Sequence, residues 1–226
     1  MIAFLAFAVL FAAPVEQKDP LDAELRAVLQ KFGGDAAGLP ATFRDDVRRY
    51  RDELLGRKDL AAILERKDRY WPVIARELSA KSLPEEFGFV ALAESHFDPL
   101  ARSEISAGVW QFTAPTARKF GLRVEEAADD RLDVEKSSHA AAAYLSALVG
   151  EFGPESFMLA LASYNAGEQT VRRGLEQVAH TRGGLRNAAH DFWDLYRMKL
   201  LGEEVRQYVP KVIAAAIVAN RPRTRE

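Results

Sequence analysis

Charged and apolar residues alternate at helical spacing through residues 21–80, with Leu25, Val28 and Leu29 on one stripe and Leu54, Leu55, Leu60, Ile63 and Leu64 on later ones. Gly33, Gly34, Gly38 and Pro40 interrupt the pattern and Gly56 marks a weaker break, which predicts two or three amphipathic helices rather than one rod. These form an N-terminal arm or packing layer over residues 20–81, and its charge run at 44–51, with acids interleaved, reads as a solvated face. Leu83-Pro84 then opens a helix whose apolar positions Phe87, Phe89, Val90 and Leu92 lead to Glu94 before Asp98-Pro99 stops it. A polar loop at 103–108 precedes a helix predicted over 109–120. Asp133 caps the next, with apolar face Ala140, Tyr144, Leu145 and Leu148 and a stop near Gly153. Pro154 opens another over 157–164, closed at Asn165-Ala166-Gly167, and a short one covers 171–179. After a glycine-rich basic loop at 181–186, Tyr208-Val209-Pro210 begins a nearly all-apolar helix through Val218, which belongs at the centre of a bundle. No run alternates with period two between hairpin turns, so the fold class is all-α and strands are not required.

Composition narrows this further. At 226 residues and 48% hydrophobic the chain can bury one core, so a single domain with an arm is expected. Lys and Arg (31) nearly balance Asp and Glu (33), leaving a net charge of -2 and no electrostatic case for nucleic acid. The absence of cysteine excludes disulfides, thiol catalysis, cysteine zinc sites and a lipid-modified cysteine. His96, His139, His180 and His190 form no i, i+4 pair, and no Walker loop or Gly-x-Gly-x-x-Gly motif occurs, so neither metal nor other cofactor is expected. Residues 1–13 are uncharged and apolar, short for a bilayer of roughly 30 Å and suited to a signal-peptide core, although a basic n-region is missing. The expected layout is signal peptide and linker at 1–19, arm at 20–81, catalytic domain at 82–220 and polar tail at 221–226, with export to the periplasm or envelope. A retained N-terminal anchor is the alternative for the first segment.

Glu94, followed by Ser95-His96-Phe97, allows two readings. It is either a helix-end carboxylate, exposed or paired with a cation such as Arg102, or a carboxyl whose apolar surroundings raise its pKa so that it can donate a proton. Four features follow in order: Ser103; Gly108-Val109-Trp110-Gln111-Phe112; Ser163-Tyr164-Asn165-Ala166-Gly167; and Glu204-x-Arg206-x-Tyr208-Val209-Pro210-Lys211. Through them the chain resembles the lytic transglycosylases with a goose-type-lysozyme-like fold, the soluble and membrane-bound D-like branch, over residues 82–220, with Tyr70-Trp71 and Leu83-Pro84 similar to the segment ahead of the catalytic helix.

The resemblance implies Glu94 as catalytic acid/base and Ser103 as a hydroxyl that hydrogen-bonds near it and positions an acetamido-sugar. It implies Gln111, Tyr164 and Asn165 as cleft residues, Tyr164 close enough to polarise the carboxylate, and Glu204 and Tyr208 as shaping a sugar subsite. Tyr208 taken alone reads as a packed residue, Asn165 as part of a helix cap, and Pro210-Lys211 as a helix start. The run Ser103-Glu104-Ile105-Ser106-Ala107-Gly108 is one residue shorter than the family pattern and lacks its inner glycine; position 113 is Thr where Met is common, and Val205 stands where Thr is usual.

The implied reaction is non-hydrolytic cleavage of the MurNAc-β-1,4-GlcNAc bond of peptidoglycan to a 1,6-anhydro end, with one carboxylate in two roles. Asp98, which suits a turn, and Glu104 are the nearest candidates for a second one. A muramidase using water on the same fold, and a non-catalytic peptidoglycan-binding protein, are the alternatives. The expected partner is the glycan strand, met by a monomer, with membrane or cell-wall complex association left open.

Overall fold

The computed structural model describes residues 19–34, 38–153, 156–181, 183 and 188–222. The expected signal segment, Pro154, most of the basic loop at 181–186 and most of the tail lie outside them. The described residues are predominantly helical, as the apolar spacing predicts.

Three helices make up the arm: α1 (Pro20–Lys31), α2 (Ala41–Leu55) and α3 (Leu60–Ser79). Asp19 caps α1 by accepting from the Leu21 amide at 3.0 Å, Pro20 takes the first helical position, and Leu21, Leu25, Val28 and Leu29 are buried as one stripe. In α2, Phe43 is fully buried and meets Phe192, Trp193 and Tyr196 edge-on at centroid distances of 6.2, 5.0 and 5.5 Å. The arm is folded onto the bundle, and its buried residues are continuous with the core.

A 3-10 turn (Glu85–Gly88) leads into α4 (Phe89–Ser95). A Cβ on Gly88 would lie 2.8 Å from the Trp71 ring and 2.9 Å from Ile74, so glycine is what lets this turn press against α3. Beyond the site loop come α5 (Ala114–Lys119), α6 (Val134–Phe152), α7 (Phe157–Ala166), α8 (Glu168–Thr181), α9 (Ala188–Arg197) and α10 (Glu203–Ala219). α6 packs on α3 and α7, and Asp133 caps it through the Glu135 and Lys136 amides, both at 3.0 Å. Residues 212–218 of α10 are buried on every side, and the helix touches α1, α2, α4 and α7. It is the central helix that an all-apolar run predicts.

Four expectations are corrected. The helix expected over 109–120 begins only at Ala114, because 106–113 form a hairpin of β1 (Ser106–Ala107) and β2 (Phe112–Thr113), in register Ser106↔Thr113 and Ala107↔Phe112. Gly108 and Gln111 have left-handed φ values of 82° and 48° in its turn, which no α-helix accepts, and Thr113 caps α5 from the Thr116 amide. A second pair, β3 (Val124–Glu125) with β4 (Ala128–Asp129), is as short, and strands of two residues carry no alternation to read. Finally, α10 starts at Glu203 rather than Tyr208. Gly202 caps it, Glu203 and Glu204 suit the positive end of its dipole, and Pro210 lies inside it, unable to bond the Arg206 carbonyl. The short helix expected over 171–179 is also longer in the structure, as α8.

No helix among the described residues is long and apolar enough to cross a membrane, and no group of three His, Asp or Glu among them could hold a metal ion.

Candidate active site

α4 is seven residues long, and all of them but Glu94 are buried apolar residues or the buried Ser95. The helix ends abruptly. His96 and Phe97 both adopt left-handed backbone (φ 54° and 57°), and their amides reach back to the carbonyls of Leu92 (3.1 Å) and Ala91 (3.3 Å). Two non-glycine residues in this region cost about 1 kcal/mol or more each. The conformation is held from outside by Arg66 of α3, whose Nε donates to the His96 carbonyl at 3.0 Å, and by the Ser95 hydroxyl, 2.7 Å from the Val109 carbonyl. These bonds fix the end of α4, where Glu94 sits, against α3 and the hairpin.

Glu94 Oε1 accepts a hydrogen bond from the Tyr208 hydroxyl at 2.7 Å. Burial pushes the Glu94 carboxyl above its ordinary pKa; the Tyr208 hydrogen bond and the charge of Lys211 pull it down, while the charge of Glu204 pushes it further up. Burial is the largest of these influences, so Glu94 holds its proton to higher pH than an ordinary glutamate. Glu204, Tyr208 and Lys211 stand at i, i+4 and i+7 of α10, one face of that helix, and all three act on the same carboxyl. Tyr208 is therefore packed, at 6% exposure, and bonded to the candidate acid as well.

Tyr164 is held differently. Its hydroxyl donates to the Trp110 carbonyl at 2.8 Å, so its proton goes to the hairpin rather than to Glu94, although the Glu94 charge still opposes its ionisation. Burial raises the phenols of Tyr164 and Tyr208 well above their usual range, which keeps both as donors. Tyr164 lies tilted against Tyr144 at a centroid distance of 5.2 Å, Tyr144 is 4.9 Å from Phe120, and Phe112 is 6.3 Å from Tyr164, giving an aromatic wall. Asn165 follows, half-buried, near the end of α7, and Glu204 is exposed.

Ser103 and Gln111 are turned into their own loop. Ser103 Oγ accepts from the Ser106 amide at 3.0 Å and lies 2.7 Å from Ser106 Oγ, and Ser106 Oγ donates to Gln111 Oε1 at 2.7 Å. Gln111 Nε2 donates to the carbonyls of Gly108 (2.8 Å) and Ala101 (3.1 Å). The expected bond from Ser103 toward Glu94 is not among these contacts, because its lone pairs and proton serve the loop turn. Gly108 anchors the hairpin from below: an added Cβ would stand 1.8 Å from the Arg131 carbonyl oxygen. Arg131 is in turn held by both oxygens of Asp129 at 2.8 Å and donates to the Phe112 carbonyl at 3.1 Å.

Of the two further acids near the site, Asp98 Oδ1 accepts from the Leu100 amide at 2.9 Å, an Asx turn, and Glu104 is exposed in the loop. Lys211, Ser106 and Arg131 were not among the expected site residues. Lys211 had a signal, three positions after Tyr208 and so on its helix face. Ser106 had only its place inside a polar loop.

The transglycosylase SLT domain family matches residues 72–184. A membrane-bound lytic murein transglycosylase D of Escherichia coli (strain K12) is 31% identical over 198 residues, which is 86% of this chain and 42% of that protein. A peptidoglycan transglycosylase of Escherichia phage T7 is 47% identical over 81 residues, 35% of this chain and 6% of that protein. Lytic transglycosylase Slt from Pseudomonas aeruginosa, solved as an inactive mutant, superimposes with a TM-score of 0.52 at 27% identity, covering 66% of this chain and 23% of that one. The chain thus spans less than half the length of each of these relatives. Because the matched half of the chain encloses α4 with Glu94, the hairpin and Tyr164, and the helical architecture agrees, the chain belongs to the transglycosylase SLT domain family, with its lysozyme-like helical fold.

Proposed function

We propose that this protein is a lytic transglycosylase that cleaves the MurNAc-β-1,4-GlcNAc bond of peptidoglycan, with Glu94 as its only acid/base. The observation that carries the reading is the half-buried Glu94 carboxyl, held by Tyr208 and pushed up in pKa by desolvation. A carboxyl that holds its proton to higher pH than an ordinary glutamate can give it to the bridging glycosidic oxygen as the C1–O bond breaks. The acetamido oxygen of the same sugar stabilises the positive C1. The Glu94 carboxylate then removes the proton of the C6 hydroxyl, whose oxygen bonds to C1 and closes a 1,6-anhydro ring. Glu94 ends protonated as it began, and no water is consumed.

Two further points support one carboxylate over two. Asp98 has a turn to hold and Glu104 projects into solvent, whereas an activated water needs a second, positioned carboxylate. The E. coli and phage relatives are murein and peptidoglycan transglycosylases, and the inactive mutant of the P. aeruginosa enzyme replaces a glutamate with glutamine. Ser103, Gln111, Tyr164, Asn165, Glu204 and Tyr208 line the glycan path in this reading. The protein acts as a monomer on glycan strands in the cell envelope, which fractionation with N-terminal sequencing of the mature chain checks.

Digestion of purified peptidoglycan tests the chemistry. Muropeptides lighter by one water and inert to borohydride are expected; reducible fragments carrying ¹⁸O from labelled water would make the enzyme a muramidase. No fragments at all from folded protein would leave a glycan-binding module.

A further inference from the structure

The end of α2, the end of α4 and the middle of α10 meet around a pocket of about 120 Å³. Its floor is apolar, since Leu54, Leu92 and Ala215 are all buried, and beside them stand the Lys211 ammonium and the His96 ring, both half-buried. The polar groups at its rim satisfy one another. Arg57 holds both oxygens of Asp59 at 2.9 and 2.8 Å, Glu53 accepts from Arg49 at 3.4 Å, and the Tyr50 hydroxyl donates to Gln207 at 2.7 Å. Lys211 and His96 are left over. Neither side chain has a hydrogen bond or ion pair to any described residue, and the Arg66 bond at this corner goes to the His96 carbonyl rather than to its ring.

Partial burial of an ammonium without a counter-charge is costly, and a bound anion relieves it. The imidazole is set for the same partner. Burial, then the charges of Arg57 and Lys211, lower its pKa against the opposing charge of Asp59, with Arg66 adding to the lowering. The ring is therefore neutral near pH 7, and it gains proton affinity when an anion offsets those cations. An anion with no apolar part would leave the floor bare, whereas a carboxylate on a short hydrocarbon stem has oxygens for both donors and carbons for the floor. We propose that this pocket binds a small carboxylate, its oxygens on Lys211 Nζ and the His96 ring and its short apolar substituent against Leu54, Leu92 and Ala215. A free short-chain acid and the C-terminal alanine of a peptide present the same chemistry.

Occupancy reaches the candidate acid through Lys211. Its charge acts on the Glu94 carboxyl alongside the Glu204 charge and the Tyr208 hydroxyl, with the un-ionised Tyr164 facing from α7. A carboxylate on Lys211 offsets a charge that favours ionised Glu94, so Glu94 holds its proton to higher pH when the pocket is filled.

Propionate is the probe, added to the full chain at fixed ionic strength while imidazole signals are followed by NMR across pH. His96→Asn, which suits the left-handed backbone at this position, identifies the His96 signal. A Kd on the order of 1 mM is expected for so small a ligand, with the His96 pKa raised at saturation. Propionamide, which lacks the charge, should not bind. Lys211→Met should weaken propionate binding roughly tenfold or more, and Lys211→Arg should retain it. N-acetylglycyl-alanine binding more tightly than propionate assigns the pocket to a peptide end, and equal or weaker binding assigns it to a free acid. Propionamide binding as well as propionate, a His96 signal that propionate leaves untouched, or full affinity in Lys211→Met overturns the proposal. The activity arm rests on the transglycosylase reading: propionate should move the alkaline limb of kcat/KM for muropeptide release to higher pH in the wild type and leave it in place in Lys211→Met. A wild-type limb unmoved with the pocket filled takes the carboxylate off Lys211 and also overturns the proposal. Absence of glycan cleavage strikes the transglycosylase reading alone, because the binding measurements need no turnover.

Discussion

Glu94 is asked to hold a proton where an ordinary glutamate would have lost it, and the groups around it set how far. Glu94→Gln is expected to lower glycan cleavage by about 10²–10⁴-fold or more, measured as muropeptide release by folded protein. The same substitution should stabilise the fold at neutral pH. Because the folded carboxyl titrates above its unfolded value, the folded state binds more protons between those two pKa values, and stability falls as pH rises through that window. Glutamine has no such loss. Thermal melts should therefore separate variant from wild type at about pH 7 and converge only below about pH 3, where the carboxyl is protonated in both states. Tyr208→Phe removes a hydrogen bond that favours the charged form, so the alkaline limb of kcat/KM should move to higher pH; Glu204→Gln should move it lower. Glu94, Tyr164 and Tyr208 are legible in the sequence because each stands in an ordered motif. Lys211 and Ser106 are not, since a lysine at i+7 of a helix or a serine in a loop acquires meaning only from what the fold places opposite it.

The hairpin shows why spacing alone misplaces some structure. Val109, Trp110 and Phe112 are all buried, which a helix or an irregular turn can achieve equally well, and the decision lies with Gly108 and Gln111. Their left-handed backbone is a property of individual residues, invisible to a periodicity that averages over a turn. Gly108→Ala should accordingly be costly, combining positive φ with a clash against the Arg131 carbonyl. A loss of about 2–5 kcal/mol is expected in urea unfolding, with cleavage lost before global stability as the bonds between Ser103, Ser106 and Gln111 open. The long helices were legible for the converse reason. α6 announces itself by the Asp133 cap and repeated apolar positions, and α1 by Asp19-Pro20 ahead of a clean stripe. α10 was recognised by its apolar run, but its first turn is polar and its proline internal, so its start was read five residues late.

The arm and the catalytic region were expected as separate stretches, and the chain alone does not say that they share a core. α10 is what joins them, since α1 and α2 lie against it together with α4 and α7. Phe43→Ala, in the arm, should therefore destabilise the whole cooperative unit by about 3–5 kcal/mol, read as a lowered melting temperature shared by far-ultraviolet and aromatic signals. A melt in two steps, the first confined to the arm, would contradict a common core. The 114 residues separating Glu94 from Tyr208 also bear on how the protein comes into being. Translation delivers α4 long before α10, and until the ribosome has passed residue 219 the neighbouring helices have no complete central helix to close around. Without α10, Glu94 loses the Tyr208 bond and packing against that helix, so its carboxyl is expected to move toward the ordinary glutamate range. On the proposed mechanism, a chain that lacks α10 is expected to release no muropeptides, because the hydroxyl and the helix that set the Glu94 carboxyl are missing.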